Sequence, residues 1–149
     1  MSHDDEYMRI AIGEAQKAYA CGERIAFGAL IVRDDKIIAQ AHNSVKDLYD
    51  PTAHAEIIAI RGAAQKLKTS DLEECVLYST CEPCPMCFSA AWWARIPTLV
   101  FGTALRDAQS GGQREIAVPC SYLNDKSGNL MEIRTGVLAA ECLELLKRR

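Results

Sequence analysis

Residues 27–42 read FGALIVRDDKIIAQAH. Phe27 to Val32 is apolar, Asp34 and Asp35 supply a turn, and Lys36 to His42 resumes an extended apolar pattern, so the stretch predicts a β-hairpin. On its amino-terminal side, Asp4 to Tyr19 repeats apolar residues at helical spacing (Met8, Ala11, Ile12, Ala15, Ala18, Tyr19). Acidic residues fill its first turn and Gly22 lies just beyond its end, the marks of an amphipathic helix. On the carboxyl side, the polar segment Asn43 to Thr52 ends in Asp-Pro-Thr, a helix-entry signal, and Ala53 to Lys66 follows with Ala and Ile at helical period. Glu74 to Ser79 reads as a short buried strand, Cys84 to Arg95 as a helix, Thr98 to Gly102 as a strand and Arg106 to Gly112 as a loop. After an irregular stretch come a strand over Leu130 to Arg134 and a helix over Val137 to Arg149. Helices alternating with strands after an antiparallel hairpin predict an α/β sandwich on a mixed sheet, with function at the strand ends.

The 149 residues have the length of one ordinary domain, and 1–149 is read as such, without repeats or linker tracts. Apolar runs such as Ile25 to Val32 fall far short of the roughly 18 residues that cross a bilayer, so no membrane span is expected. The acidic start Met-Ser-His-Asp-Asp-Glu lacks the basic segment and apolar run of a secretory signal, and a cytoplasmic protein is expected. A net charge of −3 offers no strong attraction to a polyanion. Seven cysteines, an odd number, read in a reducing compartment as metal ligands or buried thiols rather than a disulfide framework. Cys21, Cys75, Cys120 and Cys142 sit among apolar neighbours and are expected in the core.

The chemistry concentrates in His54-Ala55-Glu56 and Pro83-Cys84-Pro85-Met86-Cys87, each at the start of an expected helix. Two cysteines three apart share a helical face, and a helix N-terminus favours their thiolates, so the pair is predisposed to bind metal. One imidazole added to two thiolates leaves a tetrahedral position open for water, which is the plan of a catalytic zinc site. Glu56, two residues after His54, does not share its face and is expected to move protons rather than ligate. His-x-Glu followed by Pro-Cys-x-x-Cys is the known signature of zinc nucleobase deaminases. Cys81-x-x-Cys84-x-x-Cys87 also matches the start of an iron–sulfur motif. Its fourth position, 91, is alanine, which leaves an iron–sulfur or non-catalytic metal module a distant alternative and Cys81 a bystander near the pocket.

On these residues the chain resembles the cytidine deaminase-like superfamily from its first helix through Phe101. Asp50-Pro-Thr-Ala-His-Ala-Glu56 is similar to both the guanine deaminase and the tRNA adenosine deaminase branches. Ser79 to Cys87, Phe27-Gly28-Ala29 and Trp93-Ala94-Arg95 resemble the guanine branch, while Phe101-Gly102 and the stretch from Gly136 through Cys142 resemble the tRNA branch. The basic end Lys147-Arg148-Arg149 is a candidate phosphate contact. The resemblance implies a three-layer α/β/α sandwich on a five-stranded sheet, one zinc ion, a homodimer with Cys84 to Trp93 as a candidate interface, and hydrolytic deamination. It assigns Asn43 to reading the base, places Trp93 beside the substrate with Phe27 on its other side, and adds Ala55 to the contacts. A free aminopurine such as guanine is the expected substrate, with wobble adenosine in tRNA as the alternative. The guanine branch also closes its pocket with an acidic residue and a tyrosine from a C-terminal segment, and no such segment is legible in the sequence.

Overall fold

The computed structural model describes residues 3–110 and 114–147. Helix α1 (His3–Ala20) buries Met8, Ala11, Ala15 and Ala18, a stripe at intervals of three and four that lies along the sheet. Strands β1 (Gly28–Arg33) and β2 (Lys36–His42) form the expected antiparallel hairpin. Asp34 (φ 50°) and Asp35 (φ 59°) both take left-handed backbone, the turn geometry that matches strand twist. Then follow α2 (Val45–Leu48), α3 (Ala55–Leu67), β3 (Val76–Cys81), α4 (Pro85–Trp93), β4 (Thr98–Thr103), α5 (Leu105–Ser110), α6 (Cys120–Lys126), β5 (Glu132–Arg134) and α7 (Ala139–Glu144).

The five strands run in the order β2-β1-β3-β4-β5. β1 is antiparallel to β2 and β3, whereas β3–β4 and β4–β5 are parallel, so the sheet is mixed as expected. Alternate residues face opposite layers. Ala29, Ile31, Leu77 and Leu99 pack with Ala55, Ala59, Phe88 and Ala91 of α3 and α4. Leu30, Val32, Tyr78 and Val100 pack with Met8 and Ala11 of α1 and Cys142 of α7. The result is the three-layer sandwich. The first turn of α1 is further tied to the edge strand, because Arg134 donates from Nε and Nη2 to the two oxygens of Asp4 at 2.8 and 3.0 Å. This fork holds the Asp4 carboxyl below the ordinary carboxylate range.

Five expectations change. The stretch 106–112, read as a loop, is helical in α5 as far as Ser110, and the segment read as irregular contains α6. Both helices are capped from outside, because the Glu82 carboxylate accepts from Leu105 N (2.9 Å) and Cys120 N (2.7 Å), a cap that no local pattern announces. The polar connection 43–52 holds the single turn α2. The C-terminal helix is shorter than 137–149, and Arg148 and Arg149 lie outside the described residues. Cys75, Cys120 and Cys142 are buried as expected, but Cys21 is half-exposed, since it falls in the turn after α1 rather than on its buried stripe. Among the described residues no helix is long and apolar enough to cross a membrane.

Gly28 lets α1 approach the sheet: a Cβ there would land on the Ala11 carbonyl oxygen, which is backbone and cannot swing aside. Gly102 does the same on the side of α7, where a Cβ would meet Cys142 Sγ and the Thr80 carbonyl oxygen. Gly28→Ala is therefore expected to destabilise the chain by about 1–3 kcal/mol through overpacking. The urea midpoint should fall while the slope of the transition stays the same.

Candidate metal centre and substrate cavity

Helices α3 and α4 begin at one point. His54 precedes the first residue of α3 with extended backbone (φ −72°, ψ 153°), and Cys84 does the same for α4 (φ −66°, ψ 169°), with Pro85 fixing the turn into the helix. Cys87 lies in the first turn of α4 and is fully buried. His54 Nδ1 stands 3.7 Å from Cys84 Sγ and 3.5 Å from Cys87 Sγ, and the three ligand atoms all lie within 4.8 Å of one another. An ion about 2.0 Å from nitrogen and about 2.3 Å from sulfur in tetrahedral geometry separates the two donors by about 3.5 Å. The residues present thus fit zinc, and with three of them engaged one position is left to solvent or substrate. Cys81, the last residue of β3, is buried and outside this triad, so the three-cysteine iron–sulfur pattern is not assembled.

The surroundings shift the two thiols in opposite directions. Hydrogen bonding from Cys87, then from His54, brings Cys84 down to about 4, while its bond to Cys84 and burial push Cys87 far up. The Cys84 hydrogen bond raises His54. Glu56, in the first turn of α3 and 6% exposed, is pushed up to about 7 by burial.

His54, Glu56 and Cys84 line a cavity of about 420 Å³ together with Phe27, Asn43 and Cys81, a size in the usual range for small-molecule sites. Asn43 Oδ1 accepts from Phe27 N (2.8 Å) and Nδ2 donates to the Ile25 carbonyl (2.9 Å). Because a backbone N–H can only donate and a carbonyl only accept, the amide orientation is determined, and one donor and one acceptor position remain for a ligand.

The structure does not bring Trp93 to this cavity. α4 starts beside the metal ligands, and Trp93 is its last residue, about 13 Å further along the helix axis. It is 76% exposed and lines a separate depression with Trp92, Arg95, Pro97 and Leu130. Phe27 and Trp93 therefore do not sandwich a ring within the chain. Ala55, the first residue of α3, is buried in the core and is not among the residues lining the cavity.

Several lining residues lie outside the sequence reading, among them Arg24, Lys46, Arg114 and Glu115. Arg114 and Glu115 lie between α5 and α6, where Gln109 Nε2 donates to the Glu115 carbonyl (3.3 Å). An acidic residue from the C-terminal third thus does reach the pocket. The residue that ties this part of the chain to the metal ligands is Glu82, which caps the helix before Arg114 and Glu115 and the helix after them.

Comparison with known proteins agrees with this geometry. Residues 1–103 match the family model of the cytidine and deoxycytidylate deaminase zinc-binding region. The chain is 45% identical over 106 residues to the tRNA-specific adenosine deaminase of Aquifex aeolicus, covering 71% of this chain and 68% of that protein. It is 41% identical over 112 residues to the guanine deaminase of Bacillus subtilis, covering 75% and 71% respectively. Among solved structures, it resembles a protein crystallised with 8-azaguanine at a TM-score of 0.86 and 27% identity, covering 96% of this chain and 81% of that one.

Cys87→Ser should abolish stoichiometric zinc, as read by metal analysis of the purified protein, whereas Glu56→Gln should retain it. Loss of zinc from Glu56→Gln would make the glutamate a ligand and overturn the division of roles.

Proposed function

The chain belongs to the cytidine and deoxycytidylate deaminase zinc-binding family, and from that premise we propose that it hydrolytically deaminates a free aminopurine base, guanine foremost. His54, Cys84 and Cys87 would hold the zinc ion, which when bound would supply the Lewis acidity that makes water a nucleophile near neutral pH. Glu56 takes the proton released by that water and returns protons to the ring nitrogen and the departing amine, so that C–NH₂ and water become C=O and ammonia. Asn43, pinned by Phe27 N–H and the Ile25 carbonyl, offers its remaining donor and acceptor to the polar edge of the base, and Phe27 forms an apolar wall.

The observation that carries the preference for a free base is Glu115 in the cavity. A carboxylate accepts hydrogen bonds and cannot donate them. A free purine offers an imidazole N–H that a nucleoside replaces with its glycosidic bond, so an acceptor in the pocket favours the base. A second reading, adenosine in tRNA, draws on Arg24, Lys46 and Arg114 around the same cavity, cations suited to a phosphate backbone, and on the Aquifex relative. The Trp93 depression, with Leu130 70% exposed beside it, supports assembly as a homodimer across the far end of α4. Seven free thiols suit a reducing cytoplasm.

Ammonia release from the zinc-loaded protein, offered guanine, other free bases, nucleosides and an anticodon stem-loop, decides among these readings. Guanine is expected to react, and Glu56→Gln to lose about 10²-fold or more in kcat. Reaction of the stem-loop alone would refute the free-base proposal. Trp93→Glu is expected to shift the protein towards monomer in sedimentation velocity, and an unchanged dimer would exclude this face as the interface.

A further inference from the structure

A second cluster of reactive groups lies where α1 meets the end of β2. Cys21 Sγ is 3.7 Å from His42 Nε2, and His42 Nδ1 is 3.0 Å from Glu14 Oε1. Glu14 is 7% exposed and is fixed by two further partners, Gln40 Nε2 at 3.1 Å and Lys17 Nζ at 2.9 Å. An ionised carboxylate only accepts, so neutral His42 must carry its proton on Nδ1 and leave Nε2 as an acceptor facing the thiol. Nucleophile, base and orienting carboxylate stand in the order that activates a cysteine. None of the three serves the metal centre, and Cys21 alone among the cysteines is both half-exposed and outside the metal triad.

We propose that Cys21, His42 and Glu14 form a second nucleophilic centre, at which disulfides modify the chain. As Cys21 Sγ attacks one sulfur of the disulfide, its proton passes to His42 Nε2. The reagent's S–S bond breaks, a new S–S bond to Cys21 forms, and the other half leaves as a thiolate. Cys21 is oxidised and the departing half is reduced, with no further reactant. The centre adjoins the deaminase cavity through the chain: Asn43 follows His42, and Glu23, Arg24 and Ile25, which line the cavity, follow Cys21.

The probe is an aromatic disulfide that releases a coloured thiolate, applied at about pH 7 to the zinc-loaded protein, where a free thiol is only a few per cent ionised. The adduct is located by peptide mass. The first adduct is expected on Cys21, and Cys21→Ser should remove the fast phase. His42→Gln leaves the thiol at least as exposed but without its base, and the rate should fall about ten-fold. Glu14→Gln, which keeps an acceptor oxygen for the imidazole, should fall less. Circular dichroism establishes that each variant is folded, and the two independent substitutions keep the test decisive if one of them is not. A first adduct at another cysteine would overturn the proposal. So would an equal or faster rate in a folded His42→Gln or Glu14→Gln, because exposure alone would then account for reactivity.

Discussion

Everything at the metal centre depends on two helices starting within a few ångströms of each other. One is entered from the hairpin through 43–54 and the other from the carboxyl end of β3, and each delivers a ligand at the residue just before its first turn. A helix start is the one place where the backbone presents several unpaired N–H groups together, so buried thiolate charge is offset before any ion arrives. The close approach of α1 and α7 to the opposite face, permitted by Gly28 and Gly102, closes the sheet against water and leaves that positive junction at its rim.

How much of this could be read in advance follows the range of the interactions involved. The hairpin, α1, α3 and α4 were legible because their signals are local: alternation, helical period and turn residues within a few positions. The ligand triad was legible because a helix start and a spacing of three already place two sulfurs on one face. The helices α5 and α6 were not, since what starts them is the carboxylate of Glu82, 23 and 38 positions away. Trp93 was misplaced for a related reason. Its neighbours in sequence invite a comparison by likeness, yet helical rise alone carries it to the opposite end of α4 from the ligands.

Glu82 therefore links two parts of the site that share no contiguous sequence. It stands two residues before Cys84, and its oxygens reach both helices that flank the segment bearing Arg114 and Glu115. Cys120 adds a third link, donating from Sγ to the Pro83 carbonyl at 3.3 Å. One buried carboxylate, two residues from the ligand Cys84, thus also holds the starts of the two helices that flank Arg114 and Glu115.

The amide of Asn43 has a different kind of independence. Both contacts that orient it are to main-chain atoms, of Phe27 and Ile25, and main-chain atoms do not change when a side chain is exchanged. The walls at 25 and 27 can be enlarged, trimmed or made polar while the hydrogen-bonding amide stays where it is. A pocket built this way can change its shape and polarity by single substitutions at its walls while one amide donor and one amide acceptor keep their positions.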